Sequence, residues 1–132
     1  MKIMRWLALA AAVWGWCATP AQAGVHGGYL CSATFIPAAV AQGYGADGYL
    51  VVSVNPSPDC IAGGTAYSVW FCSAGSTQNM CSSKYVYTAS SLSALAQSAV
   101  QAVAHNVRVN AWTDSTCVAA DYCGAYLEFR AN

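Results

Sequence analysis

Six of the seven cysteines lie beyond residue 23, behind a stretch that reads as an export signal. Lys2 and Arg5 give that stretch a positive start, Trp6 to Trp14 an apolar middle, and Ala21-Gln22-Ala23 after Pro20 a small-x-small cleavage box. The compartment decides what the sulfurs do. Outside the reducing cytosol cysteines pair, and paired cysteines restrict a short chain to loop-rich, covalently stapled folds. Residues 1–23 are therefore expected to be a signal peptide, and residues 24–132 a single disulfide-bonded domain, secreted or periplasmic. Cys17 falls within the signal, and the bulky Trp16 before it argues against a lipid-attachment cysteine.

Six cysteines allow fifteen pairings. Cys72 and Cys81 flank a polar loop, so a local bridge across it is the easiest to place, whereas spacing leaves Cys31, Cys60, Cys117 and Cys123 open. Metal or redox chemistry is not expected, because the chain has no Cys-x-x-Cys and its two histidines lie far from any cysteine pair. No cofactor is expected either.

Charge narrows the partners. Beyond residue 23 the chain keeps only Lys84, Arg108 and Arg130 against Asp47, Asp59, Asp114, Asp121 and Glu128. Nucleic acid requires clustered Lys and Arg to replace counterions, and an anionic membrane surface requires the same. Neither is an expected partner. No later stretch approaches the roughly 20 apolar residues of a membrane span.

Local patterns give the elements. Gly24–Gly28 reads as a flexible start, and Tyr29–Val40 as a strand that Pro37 places at an edge or bends. Tyr49–Val54 is rich in strand formers, Asn55-Pro56-Ser57-Pro58-Asp59 is a break, and Thr65–Cys72 alternates as a third strand. Leu92, Leu95, Ala96, Ala99 and Val103 line one face of a helix that Ser90 or Ser91 begins and Asn106 ends. Val107–Trp112 alternates, with Arg108, Asn110 and Trp112 outward. Ala125–Arg130 alternates with Tyr126, Glu128 and Arg130 outward. The class is α+β, mostly β: a small five-stranded barrel or sheet of the oligonucleotide/oligosaccharide-binding (OB) type, with one helix between strands 3 and 4. A two-layer α+β sandwich is the alternative.

Catalytic signals are sparse. His26 falls in the expected flexible start, and His105 sits where an imidazole caps the last carbonyls of the helix. No serine lies in a Gly-x-Ser-x-Gly elbow. Asp114 and Asp121 bracket Cys117 in one loop, a spacing open to glycosidase chemistry but more usual for Asx turns. Aromatic residues say more. All eight tyrosines lie beyond residue 23, with Trp70 and Trp112. Rings surrounded by Ser, Thr and Asn suit neutral sugars, whose C–H faces stack while their hydroxyls take neutral donors and acceptors. Trp70 reads as core and Trp112 as a surface contact.

From Tyr49 on, the chain resembles a group of small exported bacterial proteins. Asn55-Pro56-Ser57-Pro58-Asp59-Cys60, the helix Ser91–Ala104, Val107-Arg108-Val109, Asp114-Ser115-Thr116-Cys117 and Ala125-Tyr126-Leu127-Glu128 carry the likeness. The resemblance implies a Cys60–Cys117 bridge, which with Cys72–Cys81 leaves Cys31–Cys123. The order of strands, the paired-cysteine hairpin, the helix and the Val-Arg-Val strand are also similar to the pentameric receptor-binding B subunits of subtilase- and pertussis-like toxins. Those are oligosaccharide-binding barrels that hold host glycans, and none of their sugar-contact motifs maps onto this chain.

These readings make the chain a non-catalytic binding module for a glycan or a protein surface, with homo-oligomerisation an open option. Trp112, Arg108, Asn110 and Tyr126 are its expected contact residues. The alternative is a protein-interaction module, either an inhibitor of an extracellular enzyme or a subunit of a secreted assembly, with the Cys72–Cys81 loop inserting into a partner. The third is a small secreted hydrolase using Asp114 and Asp121.

Overall fold

The computed structural model describes residues 24–37, 48–61, 66–76 and 78–131. Residues 1–23, the expected signal, and residues 38–47, which include the expected end of the first strand at Val40, lie outside them. Five strands and one helix run in the order β1 (Val25–Pro37), β2 (Gly48–Asn55), β3 (Tyr67–Cys72), α1 (Ala89–His105), β4 (Arg108–Thr113) and β5 (Gly124–Arg130). All four ladders are antiparallel, in the spatial order β3-β2-β1-β4-β5. The sheet is not closed into a full barrel. One parallel bridge, Trp70 to Cys123, brings the end of β3 against the start of β5, with the Trp70 N–H donating to the Tyr122 carbonyl at 2.8 Å. This is the OB-like sheet, with its single helix between strands 3 and 4.

Alternation places the core. Leu30, Leu50, Val52, Val54, Val69, Phe71, Val109, Ala111 and Leu127 point inward from the sheet. Leu92, Ala96, Ala99 and Ala102 cover them from the helix. Three alanines in that stripe let the helix axis come close to the sheet, chiefly to β1. Thr88 caps the helix: its Oγ1 accepts from the Ser91 N–H at 3.1 Å. The cap thus lies before both expected residues, Ser90 and Ser91, which are already within the helix. Asn106 ends the helix in the left-handed conformation, as its residue type allows.

Two local expectations give way to tertiary pairing. Val25–Tyr29 is no flexible start, since it pairs with Arg108–Trp112 of β4. Within it His26 stacks on Tyr67, ring centroids 4.0 Å apart. Trp70 is not a core residue. Its neighbours Val69 and Phe71 are the buried ones, and Trp70 lies half-buried on the outer face, stacked on Tyr49 at 4.9 Å.

The disulfides are Cys31–Cys60, Cys72–Cys81 and Cys117–Cys123. The local Cys72–Cys81 bridge is as expected. Cys60–Cys117 and Cys31–Cys123 are overturned. Cys31 is the extra residue of a β-bulge in β1, between Leu30 and Ser32, and the turn after β2 returns Cys60 to it. That turn is pinned by Asn55 Oδ1 accepting from Ser57 N, by Asp59 Oδ1 accepting from Ile61 N, and by Cys60 taking a left-handed φ of 61°. Cys117 and Cys123 close the β4–β5 loop on itself. Three bridges in a chain of this length fit an oxidising, extracellular or periplasmic environment. Among the described residues no helix is long and apolar enough to cross a membrane.

Trypsin isolates the Cys117–Cys123 bridge directly. Cleavage after Lys84, Arg108 and Arg130 leaves Cys117 and Cys123 alone in one peptide, with Cys31, Cys60, Cys72 and Cys81 in another. Without reductant the peptide 109–130 is expected to separate freely, lighter by two hydrogens than its reduced form. A Cys60–Cys117 or Cys31–Cys123 bridge would instead hold the two peptides together.

Gly124 offers a packing test of the β3–β5 approach. A Cβ there would stand 2.6 Å from the Phe71 ring and 2.6 Å from the Trp70 carbonyl oxygen. Gly124→Val is expected to lower stability by about 1–3 kcal/mol or more, the cost of overpacking a filled core, measurable by urea denaturation.

Candidate functional site

The outer faces of β1, β4 and β5 form a grid whose rows follow from register. Val25, Trp112 and Tyr126 make one row, Gly27, Asn110 and Glu128 the next, and Tyr29, Arg108 and Arg130 the third. The four contact residues expected from sequence, Trp112, Arg108, Asn110 and Tyr126, thus stand on one face. Trp112 and Tyr126 are stacked, with ring centroids 5.3 Å apart and planes 22° from parallel. Tyr126 is exposed and Trp112 half-buried.

Glu128 joins the two upper rows. Its Oε2 accepts from Asn110 Nδ2 at 3.1 Å and from the Trp112 indole Nε1 at 3.4 Å. These two donors, led by Asn110, and the nearby Arg130 charge hold the Glu128 carboxyl below the ordinary glutamate range, against a smaller opposing effect of burial. It is a carboxylate anchored chiefly by Asn110, toward which the indole N–H points. In the third row the Arg108 guanidinium lies over the Tyr29 ring, 5.9 Å from its centroid. Arg108 and Arg130 are direct cross-strand partners.

Sequence reasoning missed Tyr29, Glu128 and Arg130 as members of this face. The outward alternation of β5 already marked Glu128 and Arg130, and counting the β4–β5 register would have set them opposite Asn110 and Arg108. Tyr29 carried no such signal, because its place depends on a pairing across most of the chain.

A second aromatic stack, Tyr49 on Trp70, lies on the outer face of β2 and β3. Its same-face neighbours are Val51, Ser53 and Ser68, with no charged group among them. An open groove of about 1050 Å³ runs beside α1, lined by Phe35, Ala96, Val100, Val107 and Phe129 among others. His105, the expected capping residue in the last turn of the helix, also lines it.

The paired-aspartate expectation meets a structural role. Asp114 is buried, at 3% exposure. One of its oxygens accepts from Ser82 Oγ and the other from Thr116 N at 3.0 Å and Thr116 Oγ1 at 2.7 Å. Ser82 Oγ in turn accepts from the backbone N–H groups of Lys84 and Tyr85. Asp114 therefore ties the segment after Cys81 to the β4–β5 loop, and its acceptor sites are committed to that tie. Asp121 is exposed. Among the described residues no group of three His, Cys, Asp or Glu side chains is placed to hold a metal ion. Comparison with protein-family models, curated proteins and solved structures finds no match for this chain.

Burial works to raise the Asp114 pKa, but the hydrogen bonds from Ser82 and Thr116 and the Lys84 charge together hold it below the ordinary range. A lowered native pKa makes the group's stabilisation complete above the unfolded aspartate value of about 3.9. It is lost as pH falls through the native value. Asp114→Ala is expected to cost about 1–3 kcal/mol at neutral pH through its lost charge-assisted hydrogen bonds. The gap from wild type should narrow in urea melts repeated in strong acid.

Proposed function

We propose that this protein is a non-catalytic binding module, exported through residues 1–23 to the periplasm or beyond, that holds a glycan on the outer face of β1, β4 and β5. The observation that carries the reading is the Trp112–Tyr126 stack, whose indole N–H is directed at Glu128. Aromatic rings held in a fixed plane receive the C–H faces of a pyranose at little entropic cost. Asn110 and Glu128 supply acceptors and a donor for hydroxyls within the next row. The Tyr49–Trp70 stack has rings without such neighbours, and a binding site needs a few convergent polar groups to set orientation. The likeness in strand order to oligosaccharide-binding barrels supports the reading at the level of fold alone.

A protein-interaction module is the second reading, and the apolar groove beside α1, with Val100 51% exposed, favours it. The hydrolase reading loses support, since Asp114 is buried and committed to holding loops.

Glycan-array screening followed by calorimetry tests the proposal. Trp112→Ala is expected to weaken binding of an array hit roughly tenfold or more, the scale of a lost stacking contact with its anchoring hydrogen bond. Trp70→Ala should leave the affinity within about twofold if it does not disturb the fold. An array without signal, together with a protein partner captured from culture supernatant that survives sugar competition, would replace this reading with the second.

A further inference from the structure

Arg108 and Arg130 are two of the three cations the chain carries beyond residue 23, and register sets them directly opposite on adjacent strands. Both are exposed on the same outward face. Like charges at directly opposed positions destabilise a sheet. In a chain so poor in charge, such a pair has no part in solubility that scattered lysines would not serve better. Glu128, one row along and within the field of Arg130, offsets half of the charge, while its Oε2 accepts from Asn110 and Trp112. The Arg108 guanidinium is also oriented, lying over the Tyr29 ring.

Resting on the glycan reading above, we infer that the saccharide is anionic, with its carboxylate or sulfate held between the Arg108 and Arg130 guanidiniums while a sugar ring lies on Trp112 and Tyr126. The guanidinium is a planar fork of donors that matches a two-oxygen anion, and directly opposed residues put two such side chains within reach of one anion. The grid sets the spacing. The Arg108–Arg130 row is separated from the Trp112–Tyr126 row by the Asn110–Glu128 row. Alternate outward residues stand about 7 Å apart along a strand, so the two rows lie about 14 Å apart. That distance exceeds one pyranose and calls for an acidic oligosaccharide whose charged unit and stacked unit are different residues of the chain. The Asn110–Glu128 row between them faces the intervening hydroxyls.

The test measures binding of the folded, oxidised protein to three probes of matched length. These are an oligouronate, the same oligomer with its carboxyls reduced to alcohols, and a sulfated neutral oligosaccharide. The expected result is binding of the oligouronate or the sulfated probe that falls at least tenfold on carboxyl reduction or desulfation and weakens with added salt. Arg108→Gln and Arg130→Gln should each lower the affinity roughly 10- to 100-fold, the scale of lost charged hydrogen bonds. Both should keep or raise the melting temperature, since each relieves the opposed charges. Preference between the first and third probes assigns carboxylate or sulfate. Equal binding of the reduced oligomer, insensitive to both arginine variants but lost in Trp112→Ala, would overturn the anionic inference and leave the glycan reading standing. Binding of anions lost in the arginine variants but unchanged in Trp112→Ala and by removal of the sugar would overturn the stacked saccharide and with it the glycan reading.

Discussion

The whole arrangement turns on β1, a strand that serves two partners in succession. Val25–Tyr29 pairs with β4, and Tyr29–Pro37 pairs with β2. Tyr29 belongs to both ladders, and the bulge at Cys31 follows at once. A bulge raises local twist and re-aims the strand, which is what a short sheet needs to curl until β3 and β5 approach. Gly28 lies at the same handover. A Cβ there would stand 2.2 Å from the Asn55 carbonyl oxygen, so the chain end of β2 crosses against bare backbone. The Cys31–Cys60 bridge then fixes the extra residue of the bulge to the turn that follows β2. Curvature, closure and the third row of the candidate face are set within four residues of each other.

The three disulfides divide their work by loop. They span 29, 9 and 6 residues of sequence, and each ties a turn to the strand beside it. By chain entropy each contributes about 2–4 kcal/mol, more for the longer loop. None crosses from one half of the sheet to the other. Beyond the β1–β4 ladder, that connection rests on the Trp70–Tyr122 backbone hydrogen bond, the Tyr87 hydroxyl donating to the Ala125 carbonyl at 2.8 Å, and the Phe71–Tyr87 edge contact in the core. Burial raises the Tyr87 pKa and keeps that donor protonated. The Asp114 tie to Ser82 belongs to the same seam. Local bridges thus stiffen the loops, and a polar and aromatic seam holds the open edge of the sheet.

What was legible in the sequence followed from short-range periodicity. The helix face, the Asn106 stop and the outward residues of β4 and β5 depend on spacings of two to four residues, and the structure holds them where those spacings point. The start of β1 was not legible, because Gly24–Gly28 has turn-like composition and becomes a strand only through a partner 80 residues away. Trp70 misled because a large ring in an apolar run looks like core. Its parity against Val69 and Phe71 was the better guide. The bridges of Cys31 and Cys117 differ from those the resemblance implies because a bulged strand and a six-residue loop each bring their own partner near. For the candidate face, the four residues named from alternation were correctly put outward. Their companions Tyr29, Glu128 and Arg130 needed cross-strand register, which one sequence does not state.

Stability alone accounts for part of that face and not for the rest. A stacked aromatic pair across an antiparallel ladder contributes about 0.5–1.5 kcal/mol beyond burial, so Trp112 on Tyr126 needs no ligand to explain it. Tyr49 on Trp70 follows the same logic. The opposed arginines do not. A neutral or acidic residue directly opposite Arg108 or Arg130 would suit the free sheet better, and among the described residues Asp59, Asp114 and Asp121 lie away from this face. Asn110 and Trp112 both direct their donors to Glu128, which draws the one carboxylate of the β4–β5 grid toward the aromatic rows. The result is a graded surface, with the Trp112–Tyr126 stack at one end, Asn110 and Glu128 in the middle, and two guanidiniums, one of them over Tyr29, at the other. On the anionic-ligand inference, the arginine pair and the ring pair are the two ends of one elongated site, with Glu128 and Asn110 between them.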